Sequence, residues 1–296
     1  DYDSMASSGK QRMGDRNEGR LLRTLPGFNK LMPYIMPTRV DSTVYYEESF
    51  NVGAVEKWVK SLRDNGYKGI GMLHFIIAAY VRCVCVLPGI NRFVIGRRIF
   101  ARNSIEVVLT IKKKLALSAP ETTVKIKFEP TDTIYDVYRK INEKINEVKM
   151  DDGNNDTEDV ADTLVKMPRF LLKFVMMILR VMDYYGWLPE KLTDVSPFHA
   201  SLFITDLGSL RIGPVFHHIY NFGTIPLFFA FGSKYHKLEL DKEGDVHDNK
   251  YIDIKVSADE RICDGYYFSQ FLLAMRSLFE HPEILETPPG KGKVVE

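Results

Sequence analysis

The chain has 296 residues, 45% hydrophobic and 27% charged, a globular composition with length for one large domain or two small ones. Forty basic residues against thirty-nine acidic ones leave a formal net charge of +1, so no overall field marks nucleic acid or an anionic surface as the partner. The three cysteines, Cys83, Cys85 and Cys263, are odd in number and lack metal-ligand spacing, which argues against a disulfide framework and predicts a reducing, cytoplasmic setting with no metal.

Residues 1–24 read as a polar arm, with order beginning near Leu25; the first residue is not Met, which suggests residues upstream, and no signal peptide is legible. Leu21 to Pro37 mix bulky apolar residues with Pro33 and Pro37 and are expected to lie against the body. STVYYEESFNV (42–52) is β-branched and aromatic and predicts a strand, and VGAVEKWVKSLRDNG has helical spacing that stops at Asn65-Gly66. Residues 72–87 are apolar almost all round, with Arg82 the one internal charge, and predict a buried helix stopped by Pro88-Gly89 and too short to span a bilayer. NRFVIGRRIFAR, SIEVVLTIKKK and TVKIKFEP predict strands, and DTIYDVYRKINEKINEVKM an amphipathic helix.

The run 151–159 is a polar loop inserted in the helical region. Residues 168–189, PRFLLKFVMMILRVMDYYGWLP, form a strongly apolar helix carrying Arg169, Lys173 and Arg180, with Tyr184, Tyr185 and Trp187 at its end. Two readings stand for it: a helix of the core or of a subunit interface, which is preferred, and a helix that lies on a membrane or roofs an acyl pocket, so that membrane contact through 168–189 is not favoured. HASLFITDLGSL predicts a strand that breaks at Gly208; TIPLFFAFGSK and KYIDIKVSAD predict two more, with EGD (243–245) as the hairpin turn between them; GYYFSQFLLAMRSLFEHP predicts the last helix, and 288–296 a tail. No Walker loop, GxGxxG, HExxH, GxSxG or CxxC is present, which removes the commonest nucleotide, zinc-hydrolase and nucleophile-elbow readings.

The segment VSADERICDG (256–265), with a strand before it and a helix after it, resembles the Asp-His-Arg-x-x-Asp-Gly signature of the dihydrolipoamide acyltransferases and the His-x-x-x-Asp-Gly of chloramphenicol acetyltransferase. LPGIN (87–91) followed by RFVIGRRI, FITDLGSLRIG (203–213) and YNFGTIPLFFAFG (220–232) are similar to further stretches of that family in the same order, and together they cover most of residues 30–285. The resemblance implies an α/β (α+β) chloramphenicol-acetyltransferase-like fold over 25–287, a mixed sheet with packed helices. It also implies a homotrimer, or a multiple of three, with active sites at subunit interfaces, where a coenzyme A thioester serves as the donor substrate for a small-molecule acceptor. No lipoyl-type segment precedes this region, so the resemblance is to the catalytic core alone.

By the same resemblance Glu260 stands where the family has its proton-abstracting histidine, Thr205 where it has an oxyanion-stabilising hydroxyl, Asp264 at its loop-orienting aspartate and Asn221 at an asparagine near the pocket. Arg39 is a candidate partner for Asp264, and Gly265 for a tight strand-to-helix turn. His199, His217 and His218 are candidate helpers that read more simply as core or surface residues, and Cys263 reads as packing. A carboxylate is a poor base toward a thiol unless burial raises its pKa, and it binds a protonated amine directly. Three functions follow: an acyltransferase with Glu260 as base or as anchor for an amine acceptor; a catalytically inactive trimeric scaffold; and a membrane-associated lipid acyltransferase.

Overall fold

The computed structural model describes residues 12–112, 121–150 and 163–290. The polar loop expected at 151–159 lies outside them. Strand β2 (Thr43–Asn51) runs into helix α2 (Gly53–Asp64). Helix α3 (Met72–Val86) follows, buried at every position from His74 to Val84, as an all-round apolar segment must be in a folded chain. Strands β3 (Arg92–Ile95), β4 (Arg98–Arg102), β5 (Ile105–Lys112) and β6 (Glu121–Phe128) lead to helix α4 (Ile134–Met150).

Helices α5 (Arg169–Tyr185) and α6 (Glu190–Val195) precede strands β7 (Leu202–Asp206), β8 (Leu227–Phe231), β9 (Tyr235–Leu240) and β10 (Val246–Asp259), and helix α7 (Gly265–Glu280) ends the body. Among the described residues these strands form a mixed sheet in the order β2-β10-β8-β7-β5-β6, parallel at β8/β7 and β7/β5 and antiparallel elsewhere, with β9 paired to the first half of β10. One face of this sheet is the core: Ile254, Val256 and Ala258 of β10 and Leu202 and Ile204 of β7 meet α3 and α7, with Phe50 stacked on Phe279 at 4.3 Å. The other face bears only the small cluster of Val108, Ala200, Phe203, Ile225 and Phe228, overlaid by the loop that follows β7.

The expected hairpin is placed differently. The turn at 241–245 joins β9 to β10, and β9 itself, YHKLEL, buries no residue, Leu238 and Leu240 included, because it is an edge strand open to solvent. The polar arm is also revised, because residues 12–24 are ordered. β1 (Gly19–Leu21) pairs with β4, and Gly19 passes so close to Phe93 that a Cβ would stand 2.6 Å from its ring. Arg16 is buried, donating from NH2 to Asp183 Oδ1 at 3.0 Å and from NH1 to the Asp183 carbonyl at 2.7 Å. A segment rich in charge is thus tied down by an ion pair together with strand pairing and the burial of Leu22 and Leu25.

Helix α5 rules out the core half of its expected placement. Of its residues only Asp183 is buried, so it is not a core helix; Phe170 is 77% exposed and Phe174 53%. Its C-terminal end is held by Asp183, which accepts from Arg16 and from Gly223 N (3.2 Å) and lies 3.2 Å from His199 Nε2. Helix α1 (Gly27–Ile35) likewise turns Phe28, Leu31, Tyr34 and Ile35 outward, although Leu22 and Leu25 before it are buried.

His74, at the third position of α3, accepts the Gly71 N–H at Nδ1 (3.2 Å), and burial draws its pKa down to about 4. A folded pKa below the unfolded value of about 6.5 means this site favours the folded state above that pH and costs stability as pH falls from there toward 4. Urea melts at pH 7 and pH 5 should show a loss, at most about 1.4 kcal/mol per unit from this group. His74→Gln, which keeps an acceptor at the helix start without titrating, should lose less between the two pH values. An equal loss in both proteins would assign the acid sensitivity elsewhere.

Candidate active site

β10 ends at Asp259, fully buried, and its carboxylate organises the turn that follows. Asp259 Oδ1 accepts from Ser42 Oγ (3.0 Å), Arg261 N (3.1 Å) and Arg261 Nε (2.8 Å), and Oδ2 accepts from Arg261 NH2 (2.7 Å). Arg261 NH1 donates in turn to Met36 O (2.8 Å), joining the turn to the end of α1. Two charge-assisted bonds in fork geometry make this a rigid clamp. Glu260 sits between the clamped residues: its N–H donates to Ser42 O (2.9 Å), and its side chain projects into solvent, with no hydrogen bond or ion pair to any described residue. Arg261 is therefore committed to Asp259. The Asp259–Arg261–Ser42 clamp escapes a reading of the signature because both charges flank the expected catalytic position and pair with each other.

Asp264 is exposed and caps α7, its Oδ1 accepting from Tyr267 N at 2.8 Å. It does not pair with Arg39. That arginine is buried, donates to Val94 O (2.6 Å), Tyr220 O (3.3 Å) and Asn221 O (3.2 Å), and has its pKa drawn down by burial to about 10, with Asp259 opposing the fall. Gly265 is the first residue of α7 with no positive φ, so the turn does not require glycine there. Asn221 accepts from Val40 N at Oδ1 (3.2 Å), which latches the loop after β7 to the segment leading to Ser42 and brings Asn221 to the same end of the sheet as Glu260.

Thr205 lies elsewhere. It pairs with Ala230 of β8, and Ala230 with Lys255 of β10, so Glu260 is five residues further along and two strands across, roughly 20 Å away within one chain. Alternation puts the Thr205 side chain on the outer face with Phe203. Asp206 beside it accepts from Ser209 N (3.1 Å), and burial raises its carboxyl pKa. On that outer face His217 stacks on Phe228 at 4.3 Å while its carbonyl accepts from Ser257 Oγ; burial lowers its pKa, with His218 adding to the fall. His218 is exposed against Tyr220, and His199 is a core residue between Asp183 and Ser196 Oγ (2.8 Å). Burial pushes the Cys263 thiol up to about 12, which leaves it no nucleophile.

A mixed sheet with a parallel centre, a buried helix across one face, and an Asp-x-Arg-x-x-Asp-Gly turn between the longest strand and the last helix define the chloramphenicol-acetyltransferase-like fold. Solved structures bear this out. The chain is similar to a probable dihydrolipoamide acetyltransferase from Listeria monocytogenes (14% identity, 87% of this chain and 93% of that one, TM-score 0.57). It is similar also to the dihydrolipoamide acetyltransferase of Azotobacter vinelandii (12%, 93% and 94%, 0.56) and to a chloramphenicol acetyltransferase (13%, 85% and 94%, 0.51). No protein-family model and no curated protein sequence matches the chain. The protein has the acyltransferase fold of these enzymes, and the Azotobacter structure is described by the catalytic roles of a serine, a histidine and an asparagine four positions after the histidine.

Proposed function

We propose that the protein transfers an acyl group from a coenzyme A-like thioester to a small amine, with Glu260 as the anchor for the amine. The observation that carries this reading is the exposed, uncompensated carboxylate of Glu260, presented by a turn that the buried Asp259–Arg261 pair holds fixed. Asp264 keeps the four-residue spacing to Glu260 that the Azotobacter enzyme has between its histidine and asparagine. A solvated carboxylate removes a thiol proton poorly but holds an ammonium group well. Once the bound ammonium has given up one proton to solvent, its nitrogen attacks the thioester carbonyl; the C–N bond forms, the C–S bond breaks, and the nitrogen's second proton passes to the departing thiolate.

The same reading expects a trimer, or a multiple of three. Thr205 and Glu260 are far apart in one chain, so a site using both needs two subunits. One neighbour of this fold (12% identity, TM-score 0.52) is described as the cubic core of the pyruvate dehydrogenase multienzyme complex, and a cubic assembly has three-fold axes at its corners. Light scattering should give three times 34.1 kDa, or a multiple of that; a stable monomer at micromolar concentration would remove the interface site.

A second reading is an inactive scaffold of the same fold, favoured by the lack of a buried base at the turn. Thiol release from acetyl coenzyme A with simple alkylamines, which the scaffold does not perform, separates the two.

A further inference from the structure

We infer that helices α1 and α5, with the turn between β3 and β4, form one face that docks on an anionic phospholipid surface. Phe170, Phe174, Met177, Val181 and Tyr184 follow one another at steps of four and three, so they line a single stripe of α5, and each is exposed. Arg169, Lys173 and Arg180 run along one flank of that stripe, and Trp187, 63% exposed, stacks on Tyr185 at its end. The opposite side of α5, around Leu172, Leu179 and Asp183, is the side less open to solvent.

The face continues onto α1. Gly96 passes the Tyr184 carbonyl so closely that a Cβ would stand 2.5 Å from it, and the neighbouring Arg97 lies over the Tyr34 ring at 5.6 Å. Beside Tyr34 a cleft of about 270 Å³ has Lys30, Arg97 and Arg98 at its edge over Leu22, Leu25 and Ile99. Arg23 also lines it but is paired with Asp15.

Charge decides the occupant. Across 27–35, 92–102 and 167–185 the one acidic residue is Asp183, which is buried and paired, whereas Lys30, Arg97, Arg98, Arg169, Lys173 and Arg180 are exposed and make no ion pair with a described residue. An apolar stripe, cations along its flank, terminal aromatics and no exposed acid match a headgroup layer of anionic lipid, with acyl chains against the stripe and phosphates at the cations. A second copy of the chain would have to bring acids to this rim. The chain's net charge of +1 hides the asymmetry, and no helix among the described residues is long and apolar enough to cross a membrane, so the geometry is that of a helix lying in the surface.

The test is flotation of the full chain with vesicles of phosphatidylglycerol and phosphatidylcholine, against phosphatidylcholine alone, with light scattering on the same samples. The protein should float with the anionic vesicles and stay in solution with the neutral ones. Lys173→Glu with Arg180→Glu should weaken binding at least roughly tenfold, and Phe170→Ser with Phe174→Ser should abolish it, both leaving the circular dichroism and the solution mass unchanged. Lys57→Glu with Lys60→Glu on α2 is the control and should bind as the parent does. Three results would overturn the inference: no flotation with anionic vesicles, flotation indifferent to both α5 variants, or a change of assembly mass in the Phe170 and Phe174 variant, which would make the face a subunit interface. None of these readouts involves turnover, so they are independent of the acyl-transfer reading.

Discussion

Asp183→Ala should lower the unfolding free energy by about 3 kcal/mol, the low end for breaking a buried pair, because it leaves Arg16 buried with only the Glu18 carboxylate (Nε to Oε1, 3.3 Å) beside it. The same change strips Gly223 N of its acceptor and His199 of the carboxylate beside it, so the N-terminal segment, α5 and the loop before β8 lose their common fastening. Burial alone would raise the Asp183 carboxyl, but His199, Arg16 and Arg39 together hold its pKa below the ordinary 3.8. A folded pKa below the unfolded one contributes stability above pH about 4 that is lost as pH falls through the folded value. Urea denaturation at pH 7 should show the full deficit in the variant, and the gap to the parent should close in strong acid. Arg16→Met combined with Asp183→Leu, which removes both charges, should cost less than Asp183→Ala alone. A deficit under about 1 kcal/mol at pH 7 would mean the pair is screened like a surface one.

The elements whose burial follows from their own periodicity were legible: β2, α2, α3, α4 and α7 lie where spacing and stop signals put them. What escaped depends on partners distant in sequence. The Arg16–Asp183 pair spans 167 residues, and no local pattern in a charged segment announces it. Helix α5 carries an apolar stripe that any reading finds, yet periodicity identifies an apolar face and not what covers it. β9 was missed because its alternation is short, two leucines at Leu238 and Leu240 among charged residues, and both leucines stay exposed on an edge strand.

At the site, the signature correctly set Glu260 at a strand-to-helix turn and Asp264 at its end. The role of Asp264 differs, since it caps α7 while Asp259 and Arg261 fix the turn. Thr205 and Glu260 both lie at strand ends in sequence, and only the register of β7, β8 and β10 shows how far apart they are.

Glu260→Gln should reduce kcat/KM for the amine by roughly 100-fold, the order of cost attached to removing a charged binding group or a general base. If the carboxylate anchors the amine, the loss resides in KM for the amine while KM for the thioester is unchanged. Glu260→His puts a neutral ring at the same turn, with the Asp259–Arg261 clamp intact, and should not restore the amine KM. The most direct measurement is therefore release of free thiol from acetyl coenzyme A as a function of alkylamine concentration, in the parent and in Glu260→Gln. Thiol release that saturates with amine in the parent, and does so only at far higher amine in the variant, is the predicted result. Equal curves in the two proteins, or a parent that releases no thiol while Glu260→His does, would contradict it and leave a scaffold whose chemistry was lost with its histidine.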